Sequence, residues 1–272
     1  MSLFRALKAR PFVLFLTGTF ISGLGDSLYG IAMAWWIANQ IGSAEAMGQA
    51  LAFAFLPRLV FLLLGGVIGD RLPRISMLLT THIIQGFVIA LIAVLAAFGR
   101  LETWHVYAAS LLAGMMAALA HPAYTAIVPD LTSDENLFSA NSLISLSVHL
   151  TGVIGPGSGA LLIKQMSYSV AFALDALSFF VSAVFLAAMH PHLLVNRSYA
   201  VERIHLWKDL SGGWQFVAGQ VWLWVSMLVL LLVNFTGRST MNVALPFLVE
   251  RNLQAGVSAL GLLQSAFGVG SV

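Results

Sequence analysis

Gly66-Val-Ile-Gly-Asp70-Arg71-Leu-Pro-Arg74 is a short charged turn between two long apolar runs, residues 48–69 and 75–98. At about 1.5 Å of rise per residue, a helix of either length crosses the roughly 30 Å hydrocarbon core of a bilayer. The turn is therefore predicted to be a loop at the membrane surface, between two membrane-spanning helices.

The composition of the whole chain agrees with that interpretation. Hydrophobic residues make up 59% of the 272 residues and charged residues only 9%, which is typical of an integral membrane protein. Because the apolar runs are long and uninterrupted, they predict helices and not barrel strands. The predicted fold class is all-α, a polytopic bundle of transmembrane helices. With no cysteine in the chain, disulfides and thiolate chemistry are excluded.

The apolar runs divide the chain into three regions. Spans are predicted at about residues 12–38, 48–69, 75–98, 103–126, 138–163, 170–190 and 221–249, and an eighth begins near Val257. Residues 1–190 form a six-helix bundle, residues 191–220 a central cytoplasmic linker with an amphipathic helix, and residues 221–272 the start of a second bundle. Since the chain ends within apolar sequence, we expect it to be a piece of a longer protein.

The distribution of basic residues between alternate loops predicts the orientation. By the positive-inside rule, the side with more Lys and Arg is cytoplasmic, so the N-terminus is predicted to be cytoplasmic. That side carries Arg5, Lys8, Arg10, Arg71, Arg74, Arg197, Arg203 and Lys208, against Arg100, Lys164 and Arg251 on the other. These residues lie in loops beside spans, so no nucleic-acid partner is expected.

The charged turn carries a family resemblance. The spacing of Gly66, Asp70, Arg71 and Arg74 resembles the cytoplasmic loop signature of the major facilitator superfamily, with Pro73 where glycine is usual. The resemblance implies that these four residues form a cytoplasmic gate in a transporter of two bundles. It also implies a multi-pass protein of a bacterial-type inner membrane. The alternative interpretation is a solvated turn with positive-inside charge.

The fifth span resembles the exporters of this superfamily. Gly152, Gly155, Pro156 and Gly159 match their glycine-proline signature, with Ala160 where a further glycine is usual. Glycines near one helical face allow close helix approach, and Pro156 removes a backbone donor. Spacing alone leaves simple packing and gating equally open.

A third stretch resembles bacterial drug, macrolide and siderophore exporters of the superfamily. It begins at His121-Pro122 and continues through Pro129-Asp130 to Asn141. The arginine that many proton-coupled exporters carry in the fourth span has no counterpart here.

Charged residues within spans are the strongest candidates for function, because an ionisable group in a membrane is costly and usually faces a cavity or a partner. There are four of them, Asp26, Arg58, Asp175 and Arg238. Counted along their helices, the first three share the central layer of the bilayer. We expect Asp26 and Arg58 to form an ion pair at the cavity, with Asp26 exchanging a proton. A permanent pair that only fixes packing is the alternative.

Polar residues within or near spans complete the candidate site. Arg238 follows Asn234-Phe-Thr-Gly237, which predicts a break in the seventh helix where backbone groups meet substrate. Asn234 and Asn141 are further cavity candidates. The histidines lack the spacing of a metal site, and neither a metal nor a cofactor is expected.

Together these features predict a secondary active transporter working by alternating access. The favoured function is proton-coupled efflux of a hydrophobic or amphipathic small molecule of the drug, macrolide or siderophore class. The expected partners are that substrate, protons and the lipid bilayer, without an obligate protein partner. A nutrient importer on the same fold and an inactive piece of a longer transporter remain alternatives. An intramembrane transferase is disfavoured because no catalytic cluster is visible.

Overall fold

The computed structural model describes residues 4–69, 73–193 and 218–270. Within these ranges the side chains of 59–69, 190–193, 231 and 234–240 are not described. The described chain is helical, and the six long helices of its first part are α1 (Arg10–Trp36), α2 (Ala44–Gly69), α3 (Arg74–Ala97), α4 (Thr103–Leu131), α5 (Leu137–Gln165) and α6 (Tyr168–Leu193). A 3₁₀ turn, Arg5–Lys8, precedes α1.

The second part begins with α7 (Val221–Ser239). A π-helical segment (Thr240–Ala244), the short α8 (Leu245–Phe247) and a second π-helical segment (Leu248–Asn252) continue it, and α9 (Val257–Gly270) follows. The helix break expected at Asn234–Gly237 is wrong, because the backbone is helical through Ser239. In hydrocarbon a helix satisfies its own backbone groups, so one glycine is not enough to open it.

Local sequence explains where several helices begin and end. Pro11 occupies the first turn of α1, where its missing N–H costs nothing. Gly42 follows the π-helical end of that helix at a φ of 66°, a backbone conformation that favours glycine. At the start of α4, the Glu102 side chain accepts from a backbone N–H of the first turn, and the Glu102 N–H donates to His105 Nδ1 at 3.1 Å.

Helix α1 lies between α5 and α6 and packs on both. Helix α3 packs on α4 and α6, α2 on α4, and α9 on α5. One hydrophobic core surrounds Phe12 near the start of α1, and another surrounds Trp36 and Ile37 near its end. A third core joins Trp35 of α1 to Val249 and Leu260 in the second part of the chain.

The predicted fold class is confirmed by these helices and by the family match reported below. Five of the described helical segments are long and apolar enough to cross a membrane. The main shift in bounds is in α4, which runs through Pro122 and Pro129 to Leu131 instead of ending near residue 126. The linker helix predicted within 191–220 lies mostly in residues 194–217, outside the described residues. The division into two bundles and a linker stays a prediction.

Candidate functional site

A central cavity of about 330 Å³ lies between the first part of the chain and the second. Its walls come from α1, α2, α4 and α5, and from the first π-helical segment and α9. The lining is largely apolar, with a few polar side chains: Ser27, Tyr29, Ser110, Asn242 and Gln264. An apolar wall with a small number of polar groups is typical of a pocket for a hydrophobic or amphipathic small molecule.

Asp26 is exposed on α1, directly before the cavity residue Ser27. Arg58 is also exposed, on α2. Within the described side chains no ion pair joins them, because no Lys or Arg nitrogen lies within 4.0 Å of the Asp26 carboxyl. The expected Asp26–Arg58 pair is therefore wrong for this conformation. Counting residues along the helices predicts that Asp26 and Arg58 lie at the same depth in the bilayer. It does not predict whether their side chains lie on facing sides of the two helices.

The carboxyl that lies beside this part of α1 is instead that of Asp175 on α6, whose Oδ1 reaches the backbone at Gly25, the residue directly before Asp26. Asp175 is 1% exposed, and Ser178 Oγ lies 3.4 Å from its Oδ1 and donates to its backbone carbonyl at 2.7 Å. Among the described residues, Oδ2 of Asp175 has no hydrogen-bond partner. A buried carboxyl with one unpartnered oxygen is costly, most of all when charged.

Gly25 is the residue of α1 that admits this carboxyl. A Cβ at position 25 would lie 2.5 Å from Asp175 Oδ1 and 2.8 Å from Ser178 Cβ. Both distances are too short for a real contact, so any side chain at this position would separate α1 from α6. The close approach of the two helices therefore depends on glycine here.

The glycine-proline motif of α5 packs against α1 on one face. A Cβ at Gly155 would collide with Ser27, with Ser27 Oγ only 2.7 Å away, and a Cβ at Gly159 would lie 3.3 Å from Leu28 Cα. In return Ser27 Oγ donates to the Thr151 carbonyl at 3.3 Å and to the Gly23 carbonyl at 3.1 Å. Packing of α5 onto a cavity-lining part of α1 thus accounts for two of the motif's glycines.

The other face of the same motif packs against α9. The Gly157 N–H donates to Ser265 Oγ at 3.0 Å. A Cβ at Gly261 would lie 2.7 Å from the Pro156 carbonyl oxygen, and one at Gly268 would lie 2.6 Å from the Gly152 carbonyl oxygen. The motif is therefore where the first part of the chain meets α9. Whether it gates transport stays a prediction.

The gate motif is only partly described. Gly66 lies in α2, and Asp70 and Arg71 lie outside the described residues. Arg74, the first residue of α3, donates from Nη1 to Asp130 Oδ2 and to the Ala126 carbonyl, both at 2.6 Å. It thereby ties the start of α3 to the end of α4, and its role as a gate residue stays a prediction.

Just beyond the C-terminal end of α1, a basic residue of the second part of the chain contacts the first part. Arg251 Nη2 donates to the Gly42 carbonyl, and its guanidinium lies over the Phe247 ring at 5.2 Å from the centroid. Such a charge-assisted contact and a cation–π contact hold the second π-helical segment beside the end of α1.

Other predicted cavity residues lie elsewhere or cannot be placed. Asn141 is exposed near the start of α5 and does not line the central cavity. The side chains of Asn234 and Arg238 are outside the described part. None of the five polar cavity residues was predicted, and the two from the second part of the chain are Asn242 and Gln264. Each of these two residues is a polar residue within an apolar run. A search of the spans for charged residues does not find them, and the same search for uncharged polar residues finds both.

Spanning helices that surround a shared cavity are the architecture of secondary transporters. The model of the family described as transmembrane secretion effector matches residues 1–272. The chain belongs to this family of the major facilitator superfamily, so the resemblance stated from its motifs is confirmed. Together with the apolar helices, this makes it a multi-pass protein of the inner membrane.

The chain is also similar to enterobactin exporters. The exporter EntS of Shigella boydii serotype 18 is 27% identical over 266 residues, which cover 97% of this chain and 62% of the relative. The EntS proteins of Escherichia coli O1:K1 and of Escherichia coli O139:H28 give the same identity and coverage. The chain thus spans 62% of the length of these curated relatives.

Proposed function

We propose that the protein is a secondary active exporter of a hydrophobic or amphipathic small molecule, with siderophores as the first substrate class to test. The observation that carries the proposal is the central cavity, mostly apolar with five polar side chains and lined from both parts of the chain. The similarity to enterobactin exporters over 266 residues supports the direction of transport and the substrate class.

Alternating access is the proposed mechanism, with residues 1–190 and 221–272 contributing to two bundles and residues 191–220 linking them. In this mechanism the two groups of helices rock about a site near the middle of the membrane. The contacts of α5 with α9 and of Arg251 with Gly42 join the two parts in this conformation. For the two parts of the chain to separate there, both contacts must break. The excess of basic residues in alternate loops supports a cytoplasmic N-terminus.

Protons are the proposed coupling ion, and Asp26 is the residue proposed to exchange them. Its side chain is exposed, and it directly precedes the cavity residue Ser27 in the sequence, which supports a place beside the substrate path. A carboxyl in this position changes the charge of the cavity wall when it gains or loses a proton. Substrate and proton can then exclude one another, as antiport requires. We propose no cofactor, and no partner beyond substrate, protons and lipid.

Export from cells tests the proposal. Bacterial cells that lack an enterobactin exporter are made to express the protein, and the release of enterobactin and of a fluorescent amphipathic dye is measured. The proton gradient is left intact in one arm and collapsed in the other. Asp26→Asn removes the titrating group, and Asp134→Asn, the same change at an exposed carboxyl outside the long helices, is the matched control.

We expect export that depends on the gradient, is lost in Asp26→Asn and is kept in Asp134→Asn. Gradient-dependent export that Asp26→Asn leaves intact would contradict the role of Asp26. Absence of export of either compound under every condition, with the protein present in the membrane, would contradict the proposed function.

A further inference from the structure

The interface between α1 and α6 contains a second carboxyl that the proposed mechanism does not yet use. Asp175 is almost fully buried, and within the described side chains no Lys or Arg lies within 4.0 Å of it. In the described part of the chain its Oδ2 has no hydrogen-bond partner, and neither has the buried Ser182 Oγ, two helical turns further along α6. A buried polar atom without a hydrogen-bond partner is rare in proteins and usually has a functional or structural explanation.

Among the described side chains, no Lys or Arg pairs with Asp175, and the polar groups near it come from α1, α3 and α6 itself. From α1 come the Asp26 carboxyl and the Tyr29 hydroxyl, and from α6 itself the Ser178 hydroxyl. From α3 comes His82, whose ring centroid lies 5.6 Å from that of Phe179 and whose Nε2 is hydrogen-bonded to the Tyr124 hydroxyl at 2.9 Å. His82 Nδ1 lies 2.8 Å from the Leu78 carbonyl, which can only accept, so Nδ1 carries a proton.

Two carboxylates without a cation between them cannot both be ionised at low cost, and the buried one carries the larger penalty. Asp26 is the exposed member of the pair and Asp175 the buried member. A single proton on the pair is therefore best held by Asp175, while Asp26 is exposed next to the cavity residue Ser27.

We propose that Asp175 and Asp26 together form the proton-binding site of the first six helices, with Asp175 holding the resident proton between α1 and α6. When Asp26 takes a proton from water, the pair is neutral. When the pair returns to one proton, the O–H bond at Asp26 breaks, the proton leaves to water and the O–H at Asp175 is kept. The inference rests on the proposed proton-coupled export, to which it assigns a second residue.

The same geometry ties this proton to helix movement. Because Gly25 lets α1 approach Asp175 closely, loss of the resident proton would place an unpaired charge at the tightest contact between α1 and α6. The helices would separate to admit water, and α1 also lines the central cavity through Ser27 and Tyr29. Protonation of Asp175 thereby keeps the cavity wall in the conformation seen here.

Infrared difference spectroscopy on the protein in lipid tests this site without any transported substrate. A protonated carboxylic acid has a C=O stretching band that a carboxylate lacks, and the band shifts in heavy water. We expect such a band at neutral pH in the unmodified protein, lost in Asp175→Asn and kept in Asp134→Asn. In Asp26→Asn the band should persist but disappear at a different pH, because its charged neighbour is gone.

The two proposals fail in different ways. If the band survives in Asp175→Asn, Asp175 does not hold the proton, even if export depends on the gradient. If Asp26→Asn leaves the pH dependence of the band unchanged, the two carboxyls do not act as a pair. If the band behaves as expected but no export is found, the proton site stands and the transport proposal fails. Unfolding of each variant in detergent verifies that it retains its fold.

Discussion

Helix α1 packs closely on both of its neighbours, but the two interfaces differ in what they bury. Towards α5 the closest approach is at Gly155 of α5, and the side chain that it admits, Ser27, has its hydrogen bonds made. Towards α6 the glycines belong to α1, and the side chain they admit, Asp175, keeps an unpartnered oxygen. Two equally close helix contacts can therefore have different roles. The α5 interface holds the helices together, and the α6 interface stores a group that can change its charge.

The largest expected effect is a loss of stability when a methyl group is added at the glycine contacts of α1 with α6 and with α5. We expect Gly25→Ala and Gly155→Ala each to destabilise the protein by about 2 kcal/mol, because overpacked sites typically cost 1–3 kcal/mol. In each case the new Cβ would overlap a side chain of the facing helix. The free energy of unfolding is measured in detergent by titration with sodium dodecyl sulfate.

Gly30→Ala is the matched control on α1, because nothing lies within 4 Å of a Cβ at that position. It should be neutral or slightly stabilising, since alanine favours a helix over glycine. If Gly25→Ala were as harmless as Gly30→Ala, the close α1–α6 contact would not exist in solution.

A smaller effect is expected where the α5 motif meets α9. A Cβ at Gly261 would overlap the Pro156 carbonyl and Ala160, so Gly261→Ala should cost about 1 kcal/mol. Helix α9 packs mainly on α5, so it can move away as a unit, and this lowers the cost. The same titration measures it. Gly270→Ala, at an open position of the same helix, is the control, and equal stability of the two variants would contradict the contact.

Breaking the hydrogen bond across the α5 interface should cost less again. Ser27→Ala removes the donor to the Thr151 carbonyl, and such bonds between membrane helices average about 0.6 kcal/mol. Ser158→Ala is the control, because Ser158 donates only within its own helix. A loss above about 2 kcal/mol for Ser27→Ala would mean that this interface depends on the bond more than on its glycines.

The sequence predicts one of these two interfaces far better than the other. The spans follow from apolar runs longer than the bilayer requires, and the glycines of α5 belong to a recognisable motif. Counting residues predicts a common depth for Asp26, Arg58 and Asp175, and this stays a prediction. Which helix face each occupies does not follow, because an error of one residue in a predicted helix start rotates every side chain by about 100°. Arg58 was therefore paired wrongly with Asp26, and the approach of Asp175 through Gly25 was not foreseen.

The smallest expected effect on stability is the most informative about the α6 interface. Asp175→Asn keeps the shape of the side chain, and its amide can still accept from Ser178. If Asp175 is a neutral acid in the folded protein, the free energy of unfolding should stay within about 1 kcal/mol of the unmodified protein. Removing one member of a buried ion pair costs about 3–5 kcal/mol, because the other charge is left unpaired. A loss of that size would mean that Asp175 is ionised and has a cationic partner. If Asp175→Asn keeps the free energy of unfolding but loses the infrared band, then Asp175 is a neutral acid in the folded protein. Its carboxyl would then matter for holding a proton and not for the stability of the α1–α6 contact.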